Sequence, residues 1–187
     1  MSRLGPWEPA TLEERVDRIE SLAQIRQLPS RYALALDSRD LDSLVALFVP
    51  DVRVGRDRTG RAALREWFVV AMSQVRTTVH VVADHIVDFE SADAAHGIVY
   101  CRDEVEYPDR GEWQVGMLQY HDDYRRVGDE WCIERRRFHR WYQVDALTRP
   151  GPGAGIDATT DPIRTSQLPE AFPTWSAFWD EVDASSS

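Results

Sequence analysis

The sequence predicts an α+β fold in a single domain, on three observations. Apolar residues recur every three or four positions through the first part of the chain and every second position from Thr77 onward. Four long strand-like runs follow, at 77–90, 95–107, 112–126 and 131–143, separated by the turn-like pieces SADA, PDRG and VGDE, which predicts an antiparallel meander. The length of 187 residues suits one domain large enough to bury a core and a pocket. Strands this long twist and curl, so helices gathered in the N-terminal half cover the concave side of a mostly antiparallel sheet.

The elements follow in order. Residues 1–11 form an N-terminal arm, and the domain runs over 12–147. Thr11 and Glu14 have capping-box spacing ahead of Leu12, Val16, Ile19, Leu22 and Ile25, which predicts a first helix with those residues inward. Pro29 lacks an N–H and disfavours helical geometry at Leu28, so a kink or break is expected there, with SRYALALDS as a separate short helix. Asp40 caps a third helix whose apolar face is Leu41, Leu44, Leu47 and Phe48, ended by Pro50. DVRVGRD reads as a short strand, and GRAALREWFVVAMSQV as a helix with Leu64, Trp67, Phe68, Ala71 and Val75 inward. The four strands complete the domain. Residues 148–187 are rich in Pro, Gly and Thr and read as a tail, ordered by docking, with a short Trp-rich helix carrying Trp175, Phe178, Trp179 and Val182 on one stripe.

Composition narrows the function classes. Acidic groups outnumber basic ones by 32 to 22, and the resulting net charge of −10 argues against nucleic acid and against an acidic membrane surface as partners. No apolar run reaches the roughly 18 residues of a membrane span, and the N-terminus has no secretory pattern. Cys101 and Cys132 fall inside strands and read as buried thiols in a reducing, cytoplasmic setting. There is no P-loop, dinucleotide glycine pattern, G-x-S-x-G, C-x-x-C or H-E-x-x-H, and HVVADH has the wrong spacing for two ligands on one strand face, so neither a cofactor nor a metal is expected.

The candidate chemistry lies in ionisable residues that interrupt apolar alternation. His80 in TTVHVVADH shares a face with Val82, while Val79, Val81 and Ala83 take the other. It is either a cavity residue or a buried histidine satisfied by a backbone carbonyl. His85, five positions on, faces the opposite way and reads as structural or exposed. Asp37 follows the run ALAL at a helix end, where a carboxylate serves a turn or faces inward. Tyr32 lies about 140° from Asp37 around an ideal helix, so periodicity does not pair them. Arg140 shares a face with Arg136, Phe138 and Tyr142; most arginines of this strand read as solvated ion-pair partners, and one facing a pocket would bind an anion or carbonyl. Tyr120 lines the cavity or serves as a core tyrosine.

The segment LEERVDRIESLAQIRQLPSRYALALDSRDLDSLVALFVPDV, the TTVH strand and the final YHDDYRRVGDEWCIERRRFHRW hairpin resemble the SnoaL-like branch of the nuclear transport factor 2-like superfamily over residues 12 to about 147. Within it the resemblance is to bile-acid 7α-dehydratases, and further off to scytalone dehydratases and lindane dehydrochlorinases. It implies a cone-shaped α+β barrel whose curved sheet wraps around the helices and leaves a deep apolar pocket. It also implies catalytic roles for Tyr32 and Asp37, matched by YALALD, and for His80, matched by TTVH. Arg140 of FHRWY is implied as a functional arginine. Val99 and Tyr120 stand where scytalone dehydratases carry a second histidine and an asparagine, which points away from that substrate. The implied activity is a cofactor-independent lyase that removes water from an apolar polycyclic hydroxy-carbonyl compound, steroid- or polyketide-like. Asp37 would orient His80 as the base, with Tyr32 and Arg140 as donors and Tyr120 in support. A double-bond isomerase or polyketide cyclase would use the same base, and a binding or accessory subunit would use the pocket without turnover. The resemblance further implies a homodimer or homotrimer.

Overall fold

The computed structural model describes residues 6–147 and, in isolation, Ala184. The expected Trp-rich tail helix therefore lies outside the described residues. Three helices precede a long meander: α1 (Leu12–Asp37), α2 (Leu41–Ala46), a two-residue ribbon of β1 (Arg53–Val54) and β2 (Arg58–Thr59), α3 (Arg61–Ser73), then β3 (Thr78–Phe89), β4 (Ala94–Tyr107), β5 (Glu112–Val127) and β6 (Glu130–Asp145). The four long strands form one antiparallel sheet in the order β3-β4-β5-β6, as the meander predicts. This is a cone-shaped α+β fold, with the helices against the concave face of the sheet.

Helix α1 begins at the expected capping box: Thr11 Oγ1 accepts from the Glu14 N–H, and the Glu14 carboxylate accepts from the Thr11 N–H. It then differs from expectation twice. The helix runs unbroken through Pro29, so there is no separate SRYALALDS helix. An internal proline costs about 3 kcal/mol. Burial of Ile25, Leu28, Tyr32 and Leu36 on the same stripe, at about 1.5–3 kcal/mol for each large apolar side chain, offsets that cost. The second difference is that Leu12, Val16 and Ile19 are exposed. The inward stripe of the first turns is polar instead. Asp17 and Ser21 take both ends of the Arg126 guanidinium, at 2.6–2.8 Å. Gln24 accepts from the Trp131 N–H at 3.2 Å. Helix α3 buries Leu64 and Phe68 as expected, whereas Trp67 is 46% exposed at the rim of the cavities described below.

Three irregularities curl the sheet. Register shifts fall between Val82 and His85 on β3, and at two places on β6, where Trp141 and Glu134 are the extra residues opposite Met117/Leu118 and Asp123/Tyr124. An extra residue on one strand bends it and increases its twist. It also reverses the facing of every residue beyond it. On β3 this places His85 opposite Val99, and Val87 and Phe89 then follow it into the core. The expectation that His85 faces away from the His80 side is thus overturned, because alternation was counted without the bulge.

The inner face of the sheet reads across its strands as rows: His80–Asp103–Gly116, Cys101–Leu118–Arg140, Val99–Tyr120–Phe138 and Gly97–Asp122–Arg136. Val99, Cys101 and Leu118 are fully buried and, with Ile25, Leu44 and Ile133 from the surrounding elements, make the core. Both cysteines are free and buried. None of the described helices is long and apolar enough to cross a membrane.

Candidate active site

The C-terminal end of α1 points at the first turn of β3, and this is where Asp37 meets His80. Asp37 Oδ1 lies 2.6 Å from His80 Nδ1, and Oδ2 accepts the His80 backbone N–H at 2.8 Å. Thr78 Oγ1 adds a hydrogen bond to Oδ1 at 2.8 Å. Asp37 is therefore no simple turn former. Burial pushes its carboxyl pKa upward, but the bonds from the His80 ring, the His80 backbone and Thr78 outweigh this and hold it below the usual carboxylate range. An ionised carboxylate accepting at Oδ1 requires a proton on Nδ1 of the neutral ring. The tautomer follows from that network, and it leaves the Nε2 lone pair free to act as a base.

The His80 side chain is only 7% exposed. It lines a cavity of about 610 Å³ between the sheet, α1 and α3. Asp37 stands behind it, away from the cavity wall. Apolar groups supply most of the surround, among them Leu36, Phe68, Val105 and Phe138. The polar groups on the wall include Tyr32, Gln74, Thr78, Asp103, Tyr107 and Arg140 beside His80. A few convergent polar groups in an apolar cavity is the pattern of a small-molecule site. A second cavity of about 720 Å³ adjoins it and shares Tyr32, Trp67, Phe68 and Phe138.

Arg140, the sequence candidate in the last strand, is 11% exposed in its side chain and pairs with Asp103, Nη1 to Oδ2 at 3.2 Å. Sequence reasoning missed Asp103. It lies directly across from His80 on β4, so the signal was available in the register and nowhere in the local pattern RDEVEY. Gly116 makes the pair possible: a Cβ at that position would lie 2.1 Å from Asp103 Oδ1 and 3.3 Å from Arg140 Nη1.

Tyr32 is 3% exposed and reaches the wall of both cavities. Burial pushes its hydroxyl pKa up to about 12, so at neutral pH it is a hydrogen-bond donor and not a phenolate. Tyr120 takes the other sequence alternative. It is a core residue, 1% exposed, packed edge-on against Tyr32 and Phe138 at centroid separations of 5.8 and 5.1 Å, and it stands behind the cavity lining. Beneath the two tyrosines lies Arg136, which the sequence suggested was solvated. Its side chain is 3% exposed, its guanidinium lies 4.2 and 4.0 Å from the Tyr32 and Tyr120 ring centroids, and both ends bind the fully buried Asp122 at 2.8 and 2.6 Å. Burial alone would lower the Arg136 pKa, but the Asp122 charge and bonds raise it. The guanidinium is thus a fixed cation under the site.

Asp122 also accepts the Tyr124 hydroxyl at 2.9 Å, and that oxygen lies 3.0 Å from His85 Nε2. Burial is the chief cause that pushes the His85 pKa down to about 4 from 6.5. Between those values the unfolded chain binds a proton that the folded chain does not, so stability falls as pH drops from 6.5 towards 4. The expected loss attributable to His85 is about 2–3 kcal/mol. Urea denaturation at pH 7 and pH 5 measures it, and His85→Gln is expected to flatten the dependence.

With this geometry established, known proteins give the lineage. A model of the SnoaL-like domain matches residues 17–137, well over half of the chain. The chain belongs to the SnoaL-like domain family. An uncharacterized protein of Mycobacterium tuberculosis strain H37Rv is 25% identical to this SnoaL-like protein over 126 residues, covering 65% of this chain and 86% of the relative. Among solved structures, hexachlorocyclohexane dehydrochlorinase LinA-type3 from Novosphingobium barchaimii superposes with a TM-score of 0.64 at 19% identity, over 73% of this chain and 99% of that one. A scytalone dehydratase-like protein from Novosphingobium aromaticivorans gives 0.62 at 22% identity, over 73% and 95%. At such identities these structures establish the shared fold.

Proposed function

We propose that this SnoaL-like protein is a cofactor-independent lyase that removes water from an apolar, polycyclic hydroxy-carbonyl substrate of steroid or polyketide type. The observation that carries the reading is the 2.6 Å contact of Asp37 with His80 Nδ1, which leaves Nε2 as an acceptor in a largely apolar cavity. In the proposed reaction Nε2 takes the proton acidified by the substrate carbonyl, directly or through a conjugated alkene. The C–H electron pair forms the new double bond as the C–O bond breaks, and the leaving hydroxide takes up the proton that Nε2 removed, so water departs and the ring returns to its neutral form. Asp37 holds the ring in place and stabilises the imidazolium that proton transfer creates. Arg140, held over the cavity by Asp103, and Tyr32 are the donors for the carbonyl oxygen and the leaving hydroxyl. Tyr120 supports the reaction by packing Tyr32. The structural likeness to a dehydrochlorinase and to a scytalone dehydratase-like protein supports an elimination over other chemistries of the fold.

A double-bond isomerase would need the same base and donors, so product mass is the test. Purified protein incubated with a panel of polycyclic hydroxy-ketones is expected to give a product lighter by one water. A product of unchanged mass assigns isomerisation instead, and saturable binding without any product assigns a binding protein.

A further inference from the structure

Arg39 is the sole non-glycine residue with a left-handed backbone among the described residues, with φ of 63°. It follows Ser38, the cap of α1, at a position where glycine is favoured because it has no Cβ to clash. An arginine there carries a backbone cost, and its side chain shows what offsets it. Nη1 donates to the Leu36 carbonyl at 2.7 Å and to Thr78 Oγ1 at 2.8 Å. Nη2 donates to the carbonyls of Arg76 at 3.0 Å and Val75 at 3.4 Å. One planar guanidinium thus joins the last turn of α1 to the lead-in of β3, the two elements that carry Asp37 and His80.

The link to Thr78 does more than join loops. Thr78 is 6% exposed, so its hydroxyl must find protein partners. An oxygen that accepts from Arg39 turns its own proton away, and Asp37 Oδ1 receives that proton at 2.8 Å. The same Oδ1 faces His80 Nδ1 at 2.6 Å. Arg39 donates to Thr78, Thr78 donates to Asp37, and the His80 Nδ1–H donates to the same carboxylate oxygen, so the carboxylate is held from both sides.

We propose that Arg39 is a positioning residue for the His80 base: through Thr78 it locks the Asp37 carboxylate, and with it the Nδ1–H tautomer of the imidazole. The proposal deepens the lyase reading and rests on His80 as its base. A lysine would keep the charge, yet its single ammonium lacks the planar fork that spans both elements. A glycine would relieve the backbone and remove the fork altogether.

The test uses the full chain labelled with ¹⁵N in its imidazoles. The His80 ring signals are identified by their absence in His80→Ala. In the wild type, a slowly exchanging Nδ1–H proton and distinct ring nitrogens are expected. In Arg39→Gly that proton is expected to broaden into water, with the ring nitrogens moving towards tautomer-averaged shifts. kcat is expected to fall roughly 10- to 100-fold with KM unchanged. Arg39→Gly added to Thr78→Val should cost nothing beyond Thr78→Val alone. If Arg39→Gly does not fold, Arg39→Lys carries the same readout. Wild-type ring signals and turnover in a folded Arg39 variant would overturn the proposal, leaving Arg39 as a loop clamp only. The ring signals need no substrate, so a chain with the expected signals and no turnover on any hydroxy-ketone refutes the lyase reading and leaves the role of Arg39 standing.

Discussion

His80→Ala is expected to lower kcat for water loss by about 10²- to 10⁴-fold, the contribution of a positioned general base. The fold should survive, because the ring occupies a cavity wall and its one side-chain bond is to a partly exposed Asp37 carboxylate. Substrate affinity should change far less than turnover, since the apolar surround of Leu36, Phe68, Val105 and Phe138 is retained. A steady-state comparison of kcat and KM, with circular dichroism to verify folding, checks this. Asp37→Asn should be nearly as damaging for a different reason. The amide removes the charge that stabilises the imidazolium. It also no longer dictates which ring nitrogen holds the proton.

The largest expected effect on stability comes from Asp122→Ala. Asp122 has no exposed side-chain surface, and Arg136 has 3%. Removing the carboxylate leaves a guanidinium buried between two tyrosine rings without its counter-charge. Breaking a buried pair in this way costs about 3–5 kcal/mol. For a chain of this size that is a fall in Tm of roughly 6–20 °C. The same change frees the Tyr124 hydroxyl from its acceptor, so the His85 end of the network is disturbed as well. Replacing both partners with apolar residues, as in Asp122→Leu with Arg136→Met, should recover much of the loss, because neither charge is then stranded. Differential scanning calorimetry of the single and double variants distinguishes these outcomes. A single-variant loss below about 1 kcal/mol would mean that the pair contributes little.

The pattern of apolar and polar residues carried the α+β class, the four strands and their meander order. Strand period and turn residues are local signals, and they survive in a single sequence. The same local signals misread Pro29, because whether a helix continues through a proline depends on what its face buries elsewhere in the fold. They misread Leu12, Val16 and Ile19 for a related reason. The surface facing the first turns of α1 holds Arg126, and that partner selects Asp17 and Ser21 as the inward residues.

For the site, the residues alone raised His80 and favoured Asp37 as a turn former, and only the resemblance pointed to an inward Asp37. What stayed hidden depends on register. The bulge between Val82 and His85 brings His85 onto the inner face, and no residue type in VADHI announces it. Asp103 faces His80 because β3 and β4 pair at those positions. Arg136 differs from its arginine neighbours in facing inward, where it meets Asp122 and the Tyr32 and Tyr120 rings, whereas Arg135 lies opposite Asp123 on the other face. Runs such as RRRFHR carry no local mark of which guanidinium is buried.

The central claim is that His80 works as a base because Asp37 holds it. It is tested most directly by the turnover of Asp37→Asn on a polycyclic hydroxy-ketone that the wild type dehydrates, with product followed by mass. The expected result is a folded protein with an intact cavity, substrate binding near that of the wild type, and kcat lower by about 10²-fold or more. Wild-type turnover in Asp37→Asn would contradict it.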